Sequence, residues 1–252
     1  MNKKETNAYG LSRYVPSSVR RRVRQRCGFG CVVCGCAIVD YHHFDPEFVD
    51  AREHREAGIT LLCGTCHSRV NKGLLDNVEI GRFNSDPACR KRGFVKDFLF
   101  STRDKIHFQI GGAVFRLPTI ITYENRPLIA YAPPTELGGP LRLFATMEDD
   151  EEKTLLKIID NEWRTGIDHF DVETAGKSLV IRRKQRDVTL HMNLNPGGEI
   201  VLEKLKMGFR GFKISVNDGW CRLQCPNRIE LNLKCPDVHA TLRLKSNGLF
   251  SM

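Results

Sequence analysis

Two Cys-x2-Cys pairs, Cys31/Cys34 and Cys63/Cys66, bracket a segment that contains His42 and His43, and the second pair runs directly into His67, with Asn71 one helical turn further on. Four thiolates in two closely spaced pairs can close a tetrahedral structural zinc site, because each pair brings two sulfurs about 3.5 to 4 Å apart around one ion. The imidazoles are then free for other work. Cys27 and Cys36 offer competing spacings, Cys-x3-Cys with Cys31 and Cys-x-Cys with Cys34. Two residues between ligands, with a glycine such as Gly35 after the second, is the commoner knuckle, which favours Cys31 and Cys34. Cys221, Cys225 and Cys235 have no matching fourth ligand nearby and read as buried thiols.

The stretches Cys31-Val-Val-Cys34-Gly, Tyr41-His42-His43-Phe44-Asp45-Pro46 and Ile59-Thr60-Leu61-Leu62-Cys63-Gly-Thr-Cys66-His67-Ser-Arg-Val-Asn71-Lys72 together resemble the HNH endonucleases of the His-Me finger, or ββα-metal, superfamily. The resemblance covers residues 12 to 80. It implies that His43, near the end of a first strand, is the general base that takes a proton from water, and that His42 just before it ligates a catalytic divalent ion such as Mg²⁺. His67 and Asn71, four residues apart on one helix face, would complete that ion's protein ligands. The implied activity is cleavage of DNA. A zinc ribbon that only binds nucleic acid or a regulatory partner is the alternative, but a ribbon has no use for His42, His43, His67 and Asn71 together.

One position departs from the family pattern. The middle asparagine, which holds the loop carrying the base, falls at Gly58, so that the backbone, Thr60 or His54 must do its work. If the loop is loosely held, an asparagine at 58 is expected to raise turnover.

The composition agrees with a polyanionic partner. The 252 residues carry a formal net charge of +9, and residues 1 to 100 hold 17 Lys and Arg against 11 Asp and Glu. The positive field is therefore concentrated on the half with the motif. Hydrophobic content of 41% supports a sizeable core. The N-terminal residues Met1-Asn-Lys-Lys-Glu-Thr contain no apolar run, and no stretch reaches the ~18 apolar residues of a membrane span. The cysteines are accordingly read as reduced thiols or metal ligands in a cytoplasmic protein.

These residues need elements to position them. Residues 1 to 11 are polar and read as frayed. Pro16-Ser17-Ser18 opens a helix with Val19, Val23 and Cys27 on one face and Gly28 at its end. Its other face carries Arg20, Arg21, Arg22, Arg24 and Arg26, expected with Lys72 to contact phosphates. A strand over residues 37 to 43 pairs with one over 59 to 62, a long loop runs from 45 to 56, and a helix spans 67 to 75. Residues 81 to 103 read as a connector with a basic cluster at Arg90-Lys91-Arg92.

Residues 104 to 252 alternate short apolar strands with turn sequences such as Asn195-Pro-Gly-Gly, Asn217-Asp-Gly and Gly138-Gly-Pro. This pattern predicts a β-sandwich or barrel, and the whole chain is expected to be α+β. The acidic, aromatic segments Asp160-Asn-Glu-Trp163 and Asp168-His-Phe-Asp171 read as a surface for a protein or ligand partner.

Overall fold

The computed structural model describes residues 6–99, 107–195 and 198–252. The chain is α+β and mostly β. It divides into a first unit, Met1–Asp97 with Ile167–Thr174, and a second unit, Phe98–Gly166 with Ala175–Met252.

In the first unit, helix α1 (Ser17–Cys27) follows Pro16 and stops at Gly28, whose φ of 70° is the left-handed cap that glycine tolerates best. Its Val23 and Cys27 are fully buried among Cys31, Val32, Ile59, Leu61, Leu62 and Ile80. Strands β1 (Asp40–His43) and β2 (Ile59–Leu62) pair antiparallel, with His42 opposite Thr60 and His43 opposite Ile59. Helix α2 (Gly64–Asn71) follows at once, then α3 (Asn77–Ser85), α4 (Ala88–Arg92) and β3 (Phe94–Phe98).

Several boundaries differ from the sequence reading, each for a local reason. Strand β1 starts at Asp40 rather than residue 37, because the Ala37 and Ile38 N–H groups both donate to the Asp97 carboxylate at 3.0 Å. Helix α2 begins three residues before His67, since Cys63 is its N-cap and Cys66 already lies inside it. It ends before residue 75, with Gly73 at φ 69°. The segment after residue 80 is no mere connector up to Asp97. The Ala88 N–H donates to the Val32 carbonyl (2.9 Å) and the Ala37 N–H to the Lys96 carbonyl (3.1 Å), so α4 and β3 brace the first cysteine pair. Nor is the described start frayed, because the Asn7 amide donates to the carbonyls of Phe48 (2.7 Å) and Ala51 (2.6 Å) and anchors the long loop.

Strands β4 (His107–Ile110), β5 (Ala113–Phe115), β6 (Thr119–Tyr123), β7 (Arg126–Ala132), β8 (Arg142–Glu148), β9 (Thr154–Ile159) and β10 (Glu162–Gly166) follow. After them come β11 (Asp171–Ala175), most of which belongs to the first unit, β12 (Ser178–Lys184), β13 (Asp187–Asn195), β14 (Glu199–Phe209), β15 (Phe212–Asn217), β16 (Trp220–Gln224), β17 (Glu230–Leu233), β18 (Leu242–Leu244) and β19 (Phe250–Ser251). The strands of the second unit belong to one large sheet. Its longest member, β14, pairs antiparallel with β13 and β15 and also parallel with β4, which lets one strand serve several neighbours.

The hairpin joining β15 to β16 has Asp218 and Gly219 at φ 49° and 75°, the paired left-handed residues of a tight hairpin turn, as Asn217-Asp-Gly predicts. Pro196 and Gly197 of the Asn195-Pro-Gly-Gly turn lie outside the described residues. The core of this unit is built from Phe108, Phe115, Ile120, Ile121, Ile129, Phe212 and Ile214, all nearly inaccessible.

One other expectation changes. Cys235 is exposed, while Cys221 and Cys225 are buried as expected. The acidic, aromatic segments are divided, with Asp160 and Asp168 exposed and Asn161, Trp163 and Asp171 internal. The Asn161 side chain is buried, accepting from the Leu143 N–H (2.7 Å) and donating to the Leu141 carbonyl (2.8 Å), Trp163 is 3% exposed and Asp171 2%. No helix among the described residues is long and apolar enough to cross a membrane.

Candidate metal centre and histidine cleft

The four cysteines converge. The thiol sulfurs of Cys31, Cys34, Cys63 and Cys66 all lie within 4.8 Å of one another, with Cys34 and Cys63 at 3.5 Å. A tetrahedral ion bound at about 2.3 Å to each sulfur would set them roughly 3.8 Å apart, so the donor set fits a structural zinc. Their mutual crowding shows in their acidity. Cys31 is pushed down to about 5, mainly by the hydrogen bond from Cys34, whereas burial drives Cys66 up to about 12.

Backbone geometry builds the cage. Gly35 sits at φ 77° and returns its N–H to the Cys31 carbonyl (2.8 Å), while the Cys31 N–H reaches the Cys36 carbonyl (2.8 Å). Cys27 is outside the cage, its sulfur 3.7 Å from the Thr60 hydroxyl, and Cys36 is not part of the four-sulfur group.

Beside this centre, His42, His43, His67 and Asn71 all line one cleft of about 470 Å³. The pairing of β1 with β2 places His42 and His43 at the strand end, and α2, starting from the second cysteine pair, carries His67 and Asn71. The rings of His42 and His67 meet edge to face with centroids 5.1 Å apart. Two imidazoles bound to one ion at about 2.1 Å place their centroids roughly 4.6 to 5.3 Å apart, and the His42–His67 separation falls within that range. The Asn71 amide nitrogen lies 3.4 Å from His67 Nδ1, so the third expected donor belongs to the same group.

Five more residues complete the surroundings, and nothing in the sequence spacing identified them as a set. His42 Nε2 is 3.2 Å from Asn77 Oδ1, and the Asn77 amide donates in turn to Glu47 Oε1 at 2.7 Å. If His42 Nε2 donates to Asn77, the Nδ1 lone pair is left for a metal, the usual arrangement in which an outer partner fixes the tautomer of a ligating histidine. His43 Nε2 lies 3.0 Å from His54 Nδ1, and the His43 ring packs edge-on to Phe48. The Arg13 guanidinium, stacked 4.5 Å from the centre of the Phe48 ring, also lines the cleft. Burial pushes His42 down, and it pushes His43 down to about 4 with help from the neighbouring His54, His42 and Arg13. Both imidazoles are therefore neutral at physiological pH.

The position of the missing asparagine has no room for one. A Cβ on Gly58 would lie 1.8 Å from the Asp45 carbonyl oxygen. In place of a side chain, the Gly58 carbonyl accepts from the N–H groups of Phe44 (3.0 Å) and Asp45 (3.3 Å) and so closes the loop after His43. The Thr60 hydroxyl is directed to Cys27 rather than to this loop.

The arginine face of α1 also differs from expectation. Arg24 is buried, donating to Asp171 Oδ1 (2.9 Å) and Oδ2 (2.6 Å), the Tyr41 hydroxyl (2.8 Å) and Glu173 Oε1 (3.1 Å). Burial alone would favour its neutral form, but the hydrogen bonds to Asp171 and the surrounding charges hold it firmly protonated. It is a structural cation and is removed from the phosphate-contact set. Arg20 pairs with Glu173 (3.5 Å), and Arg26 donates to the carbonyls of Glu56 (2.7 Å) and Ile59. Arg21 lies over the Phe170 ring at 5.3 Å, Arg22 makes a surface pair with Glu56 (2.7 Å), and Lys72 is exposed at the end of α2. The sequence marked these side chains by charge, and the acids that claim them stand far away in the chain.

Compared with protein-family models, curated proteins and solved structures, the chain matches none.

Proposed function

We propose that the protein is a metal-dependent endonuclease of the HNH type, acting on the phosphodiester bonds of DNA. The observation that carries this reading is the convergence of His42, His43, His67 and Asn71 on one cleft next to a four-cysteine centre. A site that only binds needs the cysteines but gains nothing from three imidazoles and an amide gathered at one strand end and one helix.

In this reading the Cys31, Cys34, Cys63 and Cys66 thiolates hold a structural zinc that fixes β2 and α2 in register with the segment before β1. When bound at His42, His67 and Asn71, a divalent ion such as Mg²⁺ supplies Lewis-acid stabilisation of the charge on the phosphate and on the leaving oxygen. Asn77, itself held by Glu47, orients His42 toward the cleft. His43 accepts the proton of the attacking water. Arg13 offers a cation to the phosphate from the cleft wall. Arg21, Lys72 and Arg22, the last from its surface pair with Glu56, meet more distant phosphates. The HNH resemblance implies products with 5′-phosphate and 3′-hydroxyl ends.

The test is nicking of supercoiled plasmid by zinc-loaded protein with Mg²⁺, Mn²⁺ or Ni²⁺, beside the His43→Ala variant. The variant is expected to lose about two to four orders of magnitude in rate with DNA affinity nearly unchanged. Cleavage by the variant at the wild-type rate would remove His43 from the mechanism. DNA binding by the wild type without cleavage under any of the metals would leave the zinc-dependent binder as the function.

A further inference from the structure

We infer that His54 is the positioning residue for His43, holding from the long loop the imidazole that serves as base. The inference rests on the nuclease reading for its catalytic consequence, though not for its geometry.

A general base must keep one lone pair aimed at the cleft through the whole catalytic cycle. An imidazole rotates about its Cα–Cβ and Cβ–Cγ bonds and exchanges between two tautomers, so something has to hold the nitrogen that faces away. In this protein the nitrogen held is His43 Nε2, which lies 3.0 Å from His54 Nδ1, while the His43 side chain itself lines the cleft. The rings are tilted 49° to one another with centroids 5.2 Å apart, an edge contact suited to an in-plane hydrogen bond rather than a stack. Phe48 also packs against His43, edge to face with centroids at 5.5 Å, which limits rotation of the ring.

The other candidates for this duty are excluded by their own contacts. Gly58 has no space for a side chain, and its carbonyl is used on the N–H groups of Phe44 and Asp45. The Thr60 hydroxyl, opposite His42 on the strand pair, contacts Cys27.

His54 is held in place by the fold of its loop. Ala51, three residues before it, is buried, with its carbonyl accepting from Asn7 and its N–H reaching the Glu47 carbonyl at 2.9 Å. The second nitrogen of His54, Nε2, is buried without a hydrogen-bond partner among the described residues. No outside donor or acceptor there dictates the His54 tautomer, and the shared hydrogen bond can form with the proton on either His43 Nε2 or His54 Nδ1. In the productive arrangement His43 Nε2–H donates to the His54 Nδ1 lone pair, and His43 Nδ1 is left bare to accept the proton of water.

The arrangement makes separable predictions for three forms of the full-length, zinc-loaded protein. His54→Ala is expected to lower kcat for plasmid nicking about 10- to 100-fold, the usual effect of losing a partner that orients a functional histidine, with zinc content and KM near wild type. His54→Asn is expected to recover most of that loss, because its Oδ1 can accept where Nδ1 does and cannot be mistaken for a gain in packing. ¹⁵N spectra of histidine-labelled wild type and His54→Asn should show His43 as the Nε2–H tautomer, and His54→Ala should show a mixture.

An unchanged kcat in His54→Ala, a His54→Asn no better than His54→Ala, or His43 found as the Nδ1–H tautomer in the wild type would each overturn the assignment. The wild-type spectrum needs no activity and no folded variant. If the wild type cleaves no DNA with any metal, the nuclease reading fails, while the tautomer still decides whether His54 orients His43.

Discussion

Replacing Gly58 by asparagine restores the residue that the HNH pattern expects, and on sequence grounds it should strengthen the site. The structure reverses that expectation. The new Cβ would stand 1.8 Å from the Asp45 carbonyl oxygen, whereas real Cβ contacts essentially never fall below 3.0 Å, so the two backbones must separate by about 1.2 Å. The segment that must move is the one closed by the Phe44 and Asp45 N–H bonds to the Gly58 carbonyl. Losing two such bonds costs about 1 kcal/mol each, and accommodating the strain about 1 to 3 kcal/mol more, for a total of about 3 to 5 kcal/mol. In a unit of roughly 100 residues, 1 kcal/mol shifts the melting temperature by about 4 to 8 °C, so the loss is roughly 12 to 40 °C. Thermal release of zinc, detected with a colorimetric chelator, reads the first unit alone. Gly58→Ala should behave like Gly58→Asn, because the clash belongs to the Cβ. Gly64→Ala, where a Cβ meets nothing within 4 Å, should melt near wild type. A Gly58→Asn protein that releases zinc within about 2 °C of wild type, far short of the expected loss, would refute the reasoning. Nicking activity in the surviving folded fraction is expected to fall, since the loop displaced is the one that follows His43.

Further outcomes rest on other parts of the first unit. Arg24→Gln leaves the Asp171 carboxylate buried without its cation, and urea titration of the first unit should show a loss of about 3 to 5 kcal/mol, whereas a loss below about 1 kcal/mol would mean that Asp171 finds other partners. Cys63→Ser should release about one zinc per chain and unfold the first unit, and full zinc content by metal analysis would reject the four-thiolate assignment. Arg22→Gln with Lys72→Gln should weaken binding to unrelated duplexes alike and flatten the log K against log salt slope by about 0.9 for each phosphate deprived of its cation, whereas an unchanged slope would mean these side chains serve only the protein surface.

Much of the candidate site could be read from the sequence because its information is local. Cys-x2-Cys spacing fixes two sulfurs around one turn, His67 and Asn71 share a helix face through their four-residue separation, and Gly28 and Asn217-Asp-Gly mark ends and turns through φ preferences carried by single residues. Strand alternation likewise foretold a mostly β second unit, although not the branching of β14 between four partners, β13, β15, β4 and β8, which depends on pairings remote in sequence.

What only the tertiary structure decided is which polar groups meet. Arginines that looked alike along α1 were divided into buried, paired and exposed members by Asp171 and Glu173, more than 140 residues away, and by Glu56. His54 and Asn77 acquired partners through the course of a loop and the start of a helix that carry no signature of their own. Gly58 looked like a missing side chain, but it marks a close approach of two backbone segments. A sequence records residue types and short spacings, while burial and charge pairing belong to groups that become neighbours only when the chain has folded.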